Sequence, residues 1–263
     1  VMPNGRTLQV ATYHHYKDQW ANSFDLSYED PEGNTQPCHQ TTFGMSERLL
    51  GAVVGIHGDD KGLILPPSIA PIQAVVFPIA AHADSKVEPA AKALAERLSA
   101  AGIRVELDTR DVRPGVKHYD WEIKGVPIRI ELGPRELSAG QFVLTLRTGS
   151  KSEISIDEAE NYVLESLEKL AGDLRQKAKS LVSDKVKPFP FDNLDYDKSQ
   201  ETSIESGLVY EIAFEGNDSD AEFLEKKTGL TLLGECDDEF SEERKCIVTG
   251  QSTFKRCFIA RMY

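Results

Sequence analysis

Short apolar runs alternate with helix-like segments between residues 73 and 183, and this alternation constrains the fold more than any other feature. Within the helix-like segments, apolar residues recur every three or four positions. We predict strands at residues 73–78, 103–107, 128–132 and 141–146, and helices at residues 85–101, 115–124 and 155–181. Alternation at this spacing favours a three-layer α/β domain with a mixed sheet.

Two of the predicted helices begin with a capping-box pattern. Ser85 is followed three residues later by Glu88, and Ser155 by Glu158. In such a box the serine side chain accepts a backbone N–H of the first turn, and the glutamate reaches back to the backbone of the serine. We therefore predict that Ser85 and Ser155 cap these two helices.

Shorter elements flank this block on both sides. The predicted elements are strands at residues 7–13 and 36–43, a turn at 28–34, a helix at 45–57, strands at 208–214 and 257–262, and a helix at 220–227. Prolines at positions 66, 67 and 71 close the first block, and an acidic third block follows KPFPFDN (187–193). We predict three domains, at residues 1–71, 72–186 and 187–263. A strand-like run follows almost directly after Val1-Met2-Pro3, so we expect a fragment truncated at its N-terminus.

Charge and cysteine content exclude some classes of protein. The net charge is −13, which argues against a general polyanion-binding protein, although acids and bases nearly cancel in residues 72–183 and leave room for a local nucleic-acid site there. No run approaches the roughly 18–20 apolar residues of a membrane helix. The four cysteines are sparse and unevenly spaced, so we expect no disulfide framework and a cytoplasmic protein.

The stretch GMSER (44–48) opens an apolar helix-like run and allows three interpretations. It resembles the first half of a Gly-x-Ser-x-Gly nucleophile elbow, but Arg48 replaces the second glycine that the elbow needs. It could also be a helix start without chemistry, capped by Ser46. Alternatively, the free N–H groups of the helix start and the forked cation of Arg48 could bind a phosphate or nucleotide.

Histidines and cysteines suggest metal sites only weakly. His14 and His15 are neighbours on a predicted strand and point to opposite faces, whereas Thr12 and His14 share one face and could line a pocket. A histidine satisfied within the core explains His14 equally well. CIVTG (246–250) has Thr249 where a zinc knuckle would have its second cysteine.

The strand IRIEL (128–132) places Arg129 and Glu131 on the face opposite its apolar residues. This could be a solvated sheet face. It could also read nucleic-acid bases, because arginine pairs with guanine edges and an acid accepts from base amino groups. Glu122 and Arg135 lie close to this strand in the sequence.

Several motifs together resemble the C-terminal part of prolyl-tRNA synthetases of the archaeal and eukaryotic type. GRTLQ (5–9) with Thr12 and His14 resembles the strand that lines their ATP and proline pockets. GMSER with HGDDKGL (57–63) resembles motif 3 of class II synthetases, GVPIRIELGPR (125–135) resembles the anticodon-binding domain, and the ending ARMY (260–263) resembles the family's C-terminal tyrosine. The resemblance covers nearly the whole chain.

This resemblance implies a fold and a reaction. The fold would be the end of an antiparallel-sheet catalytic domain, an α/β anticodon-binding domain and a small α+β C-terminal domain. Proline and ATP would give prolyl-adenylate, and the prolyl group would pass to a proline tRNA with guanines in its anticodon. The implied residues are Gln9, Thr12, Ser46 and Arg48 for ATP, His14, Thr42 and Phe43 for proline, Arg48 and His14 for catalysis, Glu122, Arg129 and Arg135 for the anticodon, and the carboxylate of Tyr263 reaching towards the catalytic pocket.

Departures from the family pattern limit these expectations. Motifs 1 and 2 are absent, so we expect the chain alone to be inactive, the ligands of the Mg²⁺ that accompanies ATP to lie mostly outside it, and the full-length protein to be a homodimer. Phe43 stands where tryptophan is usual. Only Cys246 matches the family's zinc-binding cysteines, so we expect no zinc. The alternative is a non-catalytic, tRNA-binding paralogue or accessory subunit.

Overall fold

The computed structural model describes residues 1–195 and 204–263, and the chain divides into two compact units. One unit comprises residues 1–52 and 185–263, and the other comprises residues 53–184. The division into three domains at residues 1–71, 72–186 and 187–263 stays a prediction. Among the described residues, no helix has both the length and the apolar character needed to cross a membrane.

The N-terminal segment is built around two paired strands. Its elements are β1 (Ala11–Lys17), α1 (Gln19–Phe24), β2 (Ser27–Glu29), β3 (Thr35–Pro37), β4 (Gln40–Met45) and α2 (Arg48–His57). Strand β1 pairs antiparallel with β4. It begins four residues later than predicted because Thr7 forms a bridge with Met262 instead. The turn predicted at residues 28–34 is confirmed, since the Asp30 carboxylate accepts the backbone N–H groups of Glu32 and Asn34.

The middle of the chain forms the predicted mixed sheet. Its elements are β5 (Ala74–Pro78), α3 (Val87–Ala100), β6 (Val105–Leu107), α4 (Pro114–Ile123), β7 (Ile128–Leu132), α5 (Pro134–Ser138), β8 (Gln141–Leu146), β9 (Lys151–Ser155), a 3₁₀ turn (Ile156–Glu158) and α6 (Ala159–Lys185). The strand order is β6-β5-β7-β8-β9, parallel among the first three and antiparallel after β7.

Strand β5 is buried on both faces, as expected for the centre of a parallel sheet. Ala74 and Val76 pack in one apolar cluster with residues of α3 and α6. Val75 and Phe77 pack in a second cluster with Trp121 of α4. Helices therefore cover both faces, which confirms the predicted layering.

The two predicted caps differ in outcome. The prediction that Ser85 caps a helix is wrong, because α3 begins at Val87 without a side-chain cap. The Asp84 carboxylate instead accepts the Lys86 N–H at 2.9 Å. Asp84 forms a local turn that moves the helix start beyond Ser85. The cap by Ser155 is confirmed, because its Oγ accepts the N–H of Asp157 at the start of the 3₁₀ turn that leads into α6.

The C-terminal segment is a small α+β arrangement. Its elements are β10 (Val186–Pro188), β11 (Val209–Ala213), α7 (Asp218–Thr228), β12 (Thr231–Glu235), β13 (Arg244–Lys245), β14 (Ser252–Thr253) and β15 (Arg256–Ala260). The strand order of the larger sheet is β10-β11-β15-β12. Leu224 of α7 and Ile259 of β15 are fully buried in one apolar cluster with residues of β11, and Gly229 ends α7 in the left-handed conformation.

The two segments of this unit approach each other closely at a pair of glycines. Gly5 has a φ of +77°, and a Cβ there would lie 1.7 Å from the carbonyl oxygen of Gly207. Any larger residue at position 5 would therefore separate the two segments.

Candidate functional sites

The four residues expected to contact a nucleotide lie around one groove. This helix-start groove has a volume of about 550 Å³ and is lined by residues 9–12 and 44–48. It thus contains Gln9, Thr12, Ser46 and Arg48. Strand β4 ends at Met45 and α2 begins at Arg48, so the chain turns from strand to helix at the groove. The free N–H groups and positive dipole of a helix start lie at such a turn.

The pairing of β1 with β4 explains why these residues meet. Thr12 lies directly opposite Gly44. A Cβ at position 44 would lie 3.1 Å from the Thr12 Oγ1, which is tighter than an ordinary contact. The absence of a side chain at Gly44 therefore leaves the Thr12 hydroxyl room to face the groove.

The three residues expected to contact proline are divided between two faces of the sheet. His14 lies opposite Thr42 in the ladder, so their side chains share a face. Phe43 lies opposite Tyr13, and their rings are in contact with centroids 4.9 Å apart. Because neighbours on a strand point in opposite directions, Phe43 does not face the side that His14 and Thr42 share.

The C-terminal residues are held against the chain just before this groove. The Tyr263 N–H donates to the Thr7 carbonyl at 3.1 Å, and the Thr7 N–H donates to the Arg261 carbonyl at 2.9 Å. The Tyr263 hydroxyl accepts from Asn4 Nδ2 at 2.6 Å. Since Thr7 lies two residues before Gln9, the C-terminus is anchored beside one of the groove's own residues.

A second site lies in the middle unit, between β7, β8 and α4. This small pocket, here called the β7–α4 pocket, encloses about 220 Å³. Its lining residues are Lys61, Val75, His118, Trp121, Glu122, Val126, Arg129, Thr145, Leu146, Arg147 and Gly149. The structure therefore brings Glu122 and Arg129 together but does not place Arg135, which lies on α5, in the lining.

The polar groups of the β7–α4 pocket form ion pairs with one another. Arg129 Nε lies 3.2 Å from Glu131 Oε1, and Lys61 Nζ lies 3.6 Å from a carboxylate oxygen of Glu122. Burial beside Arg129 holds the pKa of His118 below its usual value, although the nearby Glu131 carboxylate acts in the opposite direction. The imidazole is therefore expected to be neutral at pH 7.

A bidentate ion pair anchors the edge of this pocket. Arg147 Nη1 and Nη2 donate to the two carboxylate oxygens of Asp59 at 2.9 and 2.5 Å. These hydrogen bonds lower the pKa of Asp59 to about 2, so the carboxylate is ionised under physiological conditions. The Arg147 Nε also donates to the Glu122 carbonyl, which fixes the end of α4 to the end of β8.

Comparison with known proteins shows what this chain is similar to. Residues 73–166, which include the β7–α4 pocket residues on α4, β7 and β8, match the family described as anticodon binding domain. A proline–tRNA ligase from Methanosarcina mazei is 42% identical over 266 residues, covering 100% of this chain and 54% of that protein. Over its whole length, the chain is similar to proline–tRNA ligases.

Further relatives show the same similarity. The proline–tRNA ligase of Thermococcus kodakarensis is 40% identical, with 100% of this chain and 55% of that protein covered. The solved structure of Giardia lamblia prolyl-tRNA synthetase in complex with prolyl-adenylate matches with a TM-score of 0.89 and 29% identity, over 100% of this chain and 57% of that one. The chain thus spans about half the length of the curated ligases it matches.

The turn at Cys246 holds its sulfur by backbone hydrogen bonds. Cys246 Sγ accepts backbone N–H groups from Glu215 at 3.3 Å and Thr249 at 3.5 Å. Burial raises the pKa of the Cys246 thiol, but these N–H groups outweigh it and hold the pKa below its usual value. No group of three or more histidine, cysteine, aspartate or glutamate residues in the described ranges could hold a metal ion. The expected absence of zinc stays a prediction.

Sequence reasoning missed Lys61, His118, Thr145 and Arg147 of the β7–α4 pocket. Thr145 could have been found, because it lies directly opposite Arg129 in the β7–β8 ladder and alternation places it on the same face. Its Oγ1 is buried without a hydrogen-bond partner among the described residues. Lys61 carried no local signal, since its loop reaches the pocket only through tertiary folding.

Proposed function

We propose that the protein to which this chain belongs activates proline with ATP and transfers the prolyl group to tRNA. The observation that carries this proposal is the helix-start groove, in which Arg48 and a helix N-terminus meet Gln9, Thr12 and Ser46. Nucleotidyl transfer needs positioning and neutralisation of charge more than covalent help from the protein. The relatives that cover the whole chain are proline–tRNA ligases, which supports the same reaction.

Each groove residue has a role that suits an adenylate. The guanidinium of Arg48 would hold the phosphates by paired hydrogen bonds, with the Ser46 hydroxyl beside it. Thr12 on β1 and Gln9, just before this strand, would hold the nucleoside. The described residues contain no carboxylate cluster that fits Mg²⁺, so no step is assigned to that ion here.

The proline site would lie on the face shared by His14 and Thr42. His14 also stacks on Tyr16, with ring centroids 5.4 Å apart, which orients the imidazole. Phe43 faces the other side of the sheet with Tyr13. His14 and Thr42 would therefore contact proline from one face, whereas Phe43, which is 80% exposed, contacts Tyr13 on the opposite face.

The β7–α4 pocket would bind one guanine of the anticodon. Its volume of about 220 Å³ lies below the range typical of drug-sized ligand sites and suits a single flat base. Guanine carries an amino donor and, on another edge, the acceptors O6 and N7. Glu122 offers an acceptor for the amino group, and Arg129 offers a forked donor for O6 and N7. Trp121 lines the same pocket and provides an apolar wall.

The two arginines should differ in their effect on tRNA recognition. Arg129→Ala is expected to weaken binding by about 1–3 kcal/mol, selectively for tRNA with anticodon guanines. Arg135→Ala tests whether the arginine outside the pocket lining reads the second guanine with a similar cost. Binding would be measured for the proline tRNA and for variants with each guanine replaced. An equal loss for every tRNA would show instead that the arginine contacts phosphate.

Removing Met262 and Tyr263 from the full-length protein is expected to slow adenylate formation. The deletion would remove the backbone hydrogen bond to Thr7 and the carboxylate that we propose reaches the catalytic pocket. The measurement is proline-dependent ATP–pyrophosphate exchange. Tyr263→Phe is the matched control, because it keeps both and loses only the hydroxyl contact to Asn4. An unchanged rate in the deletion variant would contradict the proposed role.

The same exchange assay tests the proposed function as a whole. Proline-dependent ATP–pyrophosphate exchange by the full-length protein would support the proposed ligase activity. Retained tRNA binding without exchange would favour the non-catalytic paralogue. A cytoplasmic location and a homodimeric full-length protein stay predictions.

A further inference from the structure

On the polar face of β7, Glu131 lies in contact with both His118 and Arg129. Arg129 and Glu131 lie two residues apart on the face opposite the fully buried Ile128, Ile130 and Leu132. Glu131 Oε1 lies 3.2 Å from Arg129 Nε and 2.5 Å from His118 Nε2. All three side chains are less than a third exposed. One carboxylate therefore sits between the arginine and the histidine in a partly desolvated position.

The contact between Glu131 and Arg129 involves one nitrogen of the guanidinium group in particular. It is made through Nε, which adjoins the side-chain stem. The two atoms are close, but Arg129 Nε and Glu131 Oε1 are both buried without a hydrogen bond of good geometry, so their contact is an ion pair. A carboxylate this close to Nε holds the guanidinium by charge and thereby favours one direction for its two terminal nitrogens.

We propose that Glu131 is a positioning residue for guanine recognition, which orients the Arg129 guanidinium so that both terminal nitrogens face a base in the β7–α4 pocket. The inference rests on the proposed function, because it requires that Arg129 reads a guanine. Glu131 is outside the pocket lining and acts through Arg129 without touching the base.

Glu131 is itself held in place from the other side. His118 stacks on Phe77, with ring centroids 5.6 Å apart, and Phe77 lies opposite Glu131 in the β5–β7 ladder. Phe77 is fully buried, so the imidazole rests on a rigid surface. A carboxylate fixed by a rigid imidazole can fix the arginine in turn, which lowers the conformational entropy lost when the base binds.

Because this face is partly buried, the charge of Arg129 needs the Glu131 carboxylate as a counter-charge. The Arg129 side chain is 23% exposed and the Glu131 side chain is 18% exposed. A partly buried guanidinium without a counter-charge would turn towards solvent, because burying an unpaired charge is costly. Thr145, directly opposite Arg129, offers only an uncharged hydroxyl. Glu131 therefore supplies the charge that keeps Arg129 in the pocket.

The test replaces single atoms of the anticodon in the full-length protein. Guanosine is replaced by 7-deazaguanosine, which lacks N7, or by inosine, which lacks the amino group, at each anticodon guanine in turn. The wild-type protein should bind the 7-deazaguanosine tRNA several-fold to about tenfold more weakly than the unmodified tRNA, since one acceptor of a bidentate pair is lost. In Glu131→Met, which removes the acceptor but keeps the volume, this penalty should fall below about twofold.

The loss of affinity caused by inosine, here called the inosine penalty, distinguishes a loss of Arg129 orientation from general damage to the pocket. It depends on the acceptor of Glu122, so it should be the same in Glu131→Met and in the wild-type protein. Glu131→Gln keeps the shape and an acceptor oxygen but removes the charge, so it should restore the 7-deazaguanosine penalty only in part. Adding Glu131→Met to Arg129→Ala should change affinity little further, because both changes remove the same contact. Glu153→Ala, at an exposed position of β9, is the control that should leave both penalties unchanged.

The outcomes distinguish a failure of the proposed guanine recognition by Arg129 from a failure of the proposed positioning role of Glu131. If the wild-type protein shows no 7-deazaguanosine penalty at either guanine, the proposed reading of guanine by Arg129 is wrong. If it shows the penalty and Glu131→Met keeps it, the positioning role of Glu131 is overturned. A parallel loss of both penalties and of the unfolding temperature would mean that Glu131 only stabilises the fold. Should Glu131→Met fail to fold, Glu131→Ala gives the same comparison, and failure of both to fold would likewise indicate a structural role.

Discussion

Replacing Arg48 with alanine in the full-length protein is expected to lower the rate of proline-dependent ATP–pyrophosphate exchange by about 100- to 1000-fold. Arg48 is the basic residue of the helix-start groove and sits at the first position of α2. Negative charge develops on the phosphates as adenylate forms, and a fixed guanidinium stabilises that charge without reorganisation. The loss should therefore be larger in kcat than in the KM for proline.

Two variants make this result specific. Arg48→Lys keeps the charge but loses the fork, so an intermediate rate is expected. Arg175→Ala removes an exposed arginine of α6, far from the groove in the sequence, and should leave exchange unchanged. The affinity for the proline tRNA should not change in Arg48→Ala, because the proposed anticodon pocket belongs to the other unit. An exchange rate within a few-fold of wild type would rule out Arg48 as the phosphate ligand.

Replacing Asp108 with alanine is expected to destabilise the middle unit by about 3–5 kcal/mol. Asp108 is 4% exposed and its carboxylate accepts hydrogen bonds from Trp121 Nε1 at 2.8 Å and from Arg110. Lys117, also buried, lies 3.7 Å from the same carboxylate. Removing the carboxylate leaves a buried ammonium group without its counter-charge, which is the costly form of a broken ion pair.

The loss should be read from native-state hydrogen exchange of the β5 and β7 backbone amides, which report opening of this sheet. The control is Glu96→Ala, which removes an exposed pair with Lys92 on α3 and should cost about 0.3–0.5 kcal/mol at most. The contribution of Asp108 should also depend on acid. Burial raises the pKa of Asp108, but the hydrogen bonds from Arg110 and Trp121 outweigh it and hold the folded-state pKa below the ordinary value. The stabilisation is therefore present above about pH 4 and declines as the pH falls further. A change no larger than that of the control would contradict the role of Asp108.

Local patterns predicted the sheet of the middle unit well. Strands β7 and β8 begin and end at the predicted residues, and β5 differs by one residue. Their apolar runs indicate both the element and its limits, because the residues that enter the core are apolar. Pro127 and Gly133 mark the two ends of β7, and Gly140 marks the start of β8. The same alternation placed Arg129 and Glu131 on the polar face, which the structure confirms.

Local patterns failed where a competing contact was stronger. Thr7 was expected to begin a strand with its neighbours, but its backbone pairs with Arg261 and Tyr263. Ser85 has the pattern of a cap, yet Asp84 makes the turn. Phe43 was grouped with His14 by resemblance, although alternation along β4 places it on the opposite face. The proline contact expected for Phe43 stays a prediction.

The sequence by itself determined the resemblance to proline–tRNA ligases, the mixed sheet and the chemistry available at the two sites. It did so because motifs such as GMSER and IRIEL combine residue type with short spacing, and short spacing sets which side chains share a face. The tertiary structure alone decided that Asp59 and Lys61 meet Arg147 and Glu122 at one pocket, and that Tyr263 is anchored at Thr7. Such partners lie tens to hundreds of residues apart, and packing of the whole chain, which leaves no periodic trace in the sequence, brings them together.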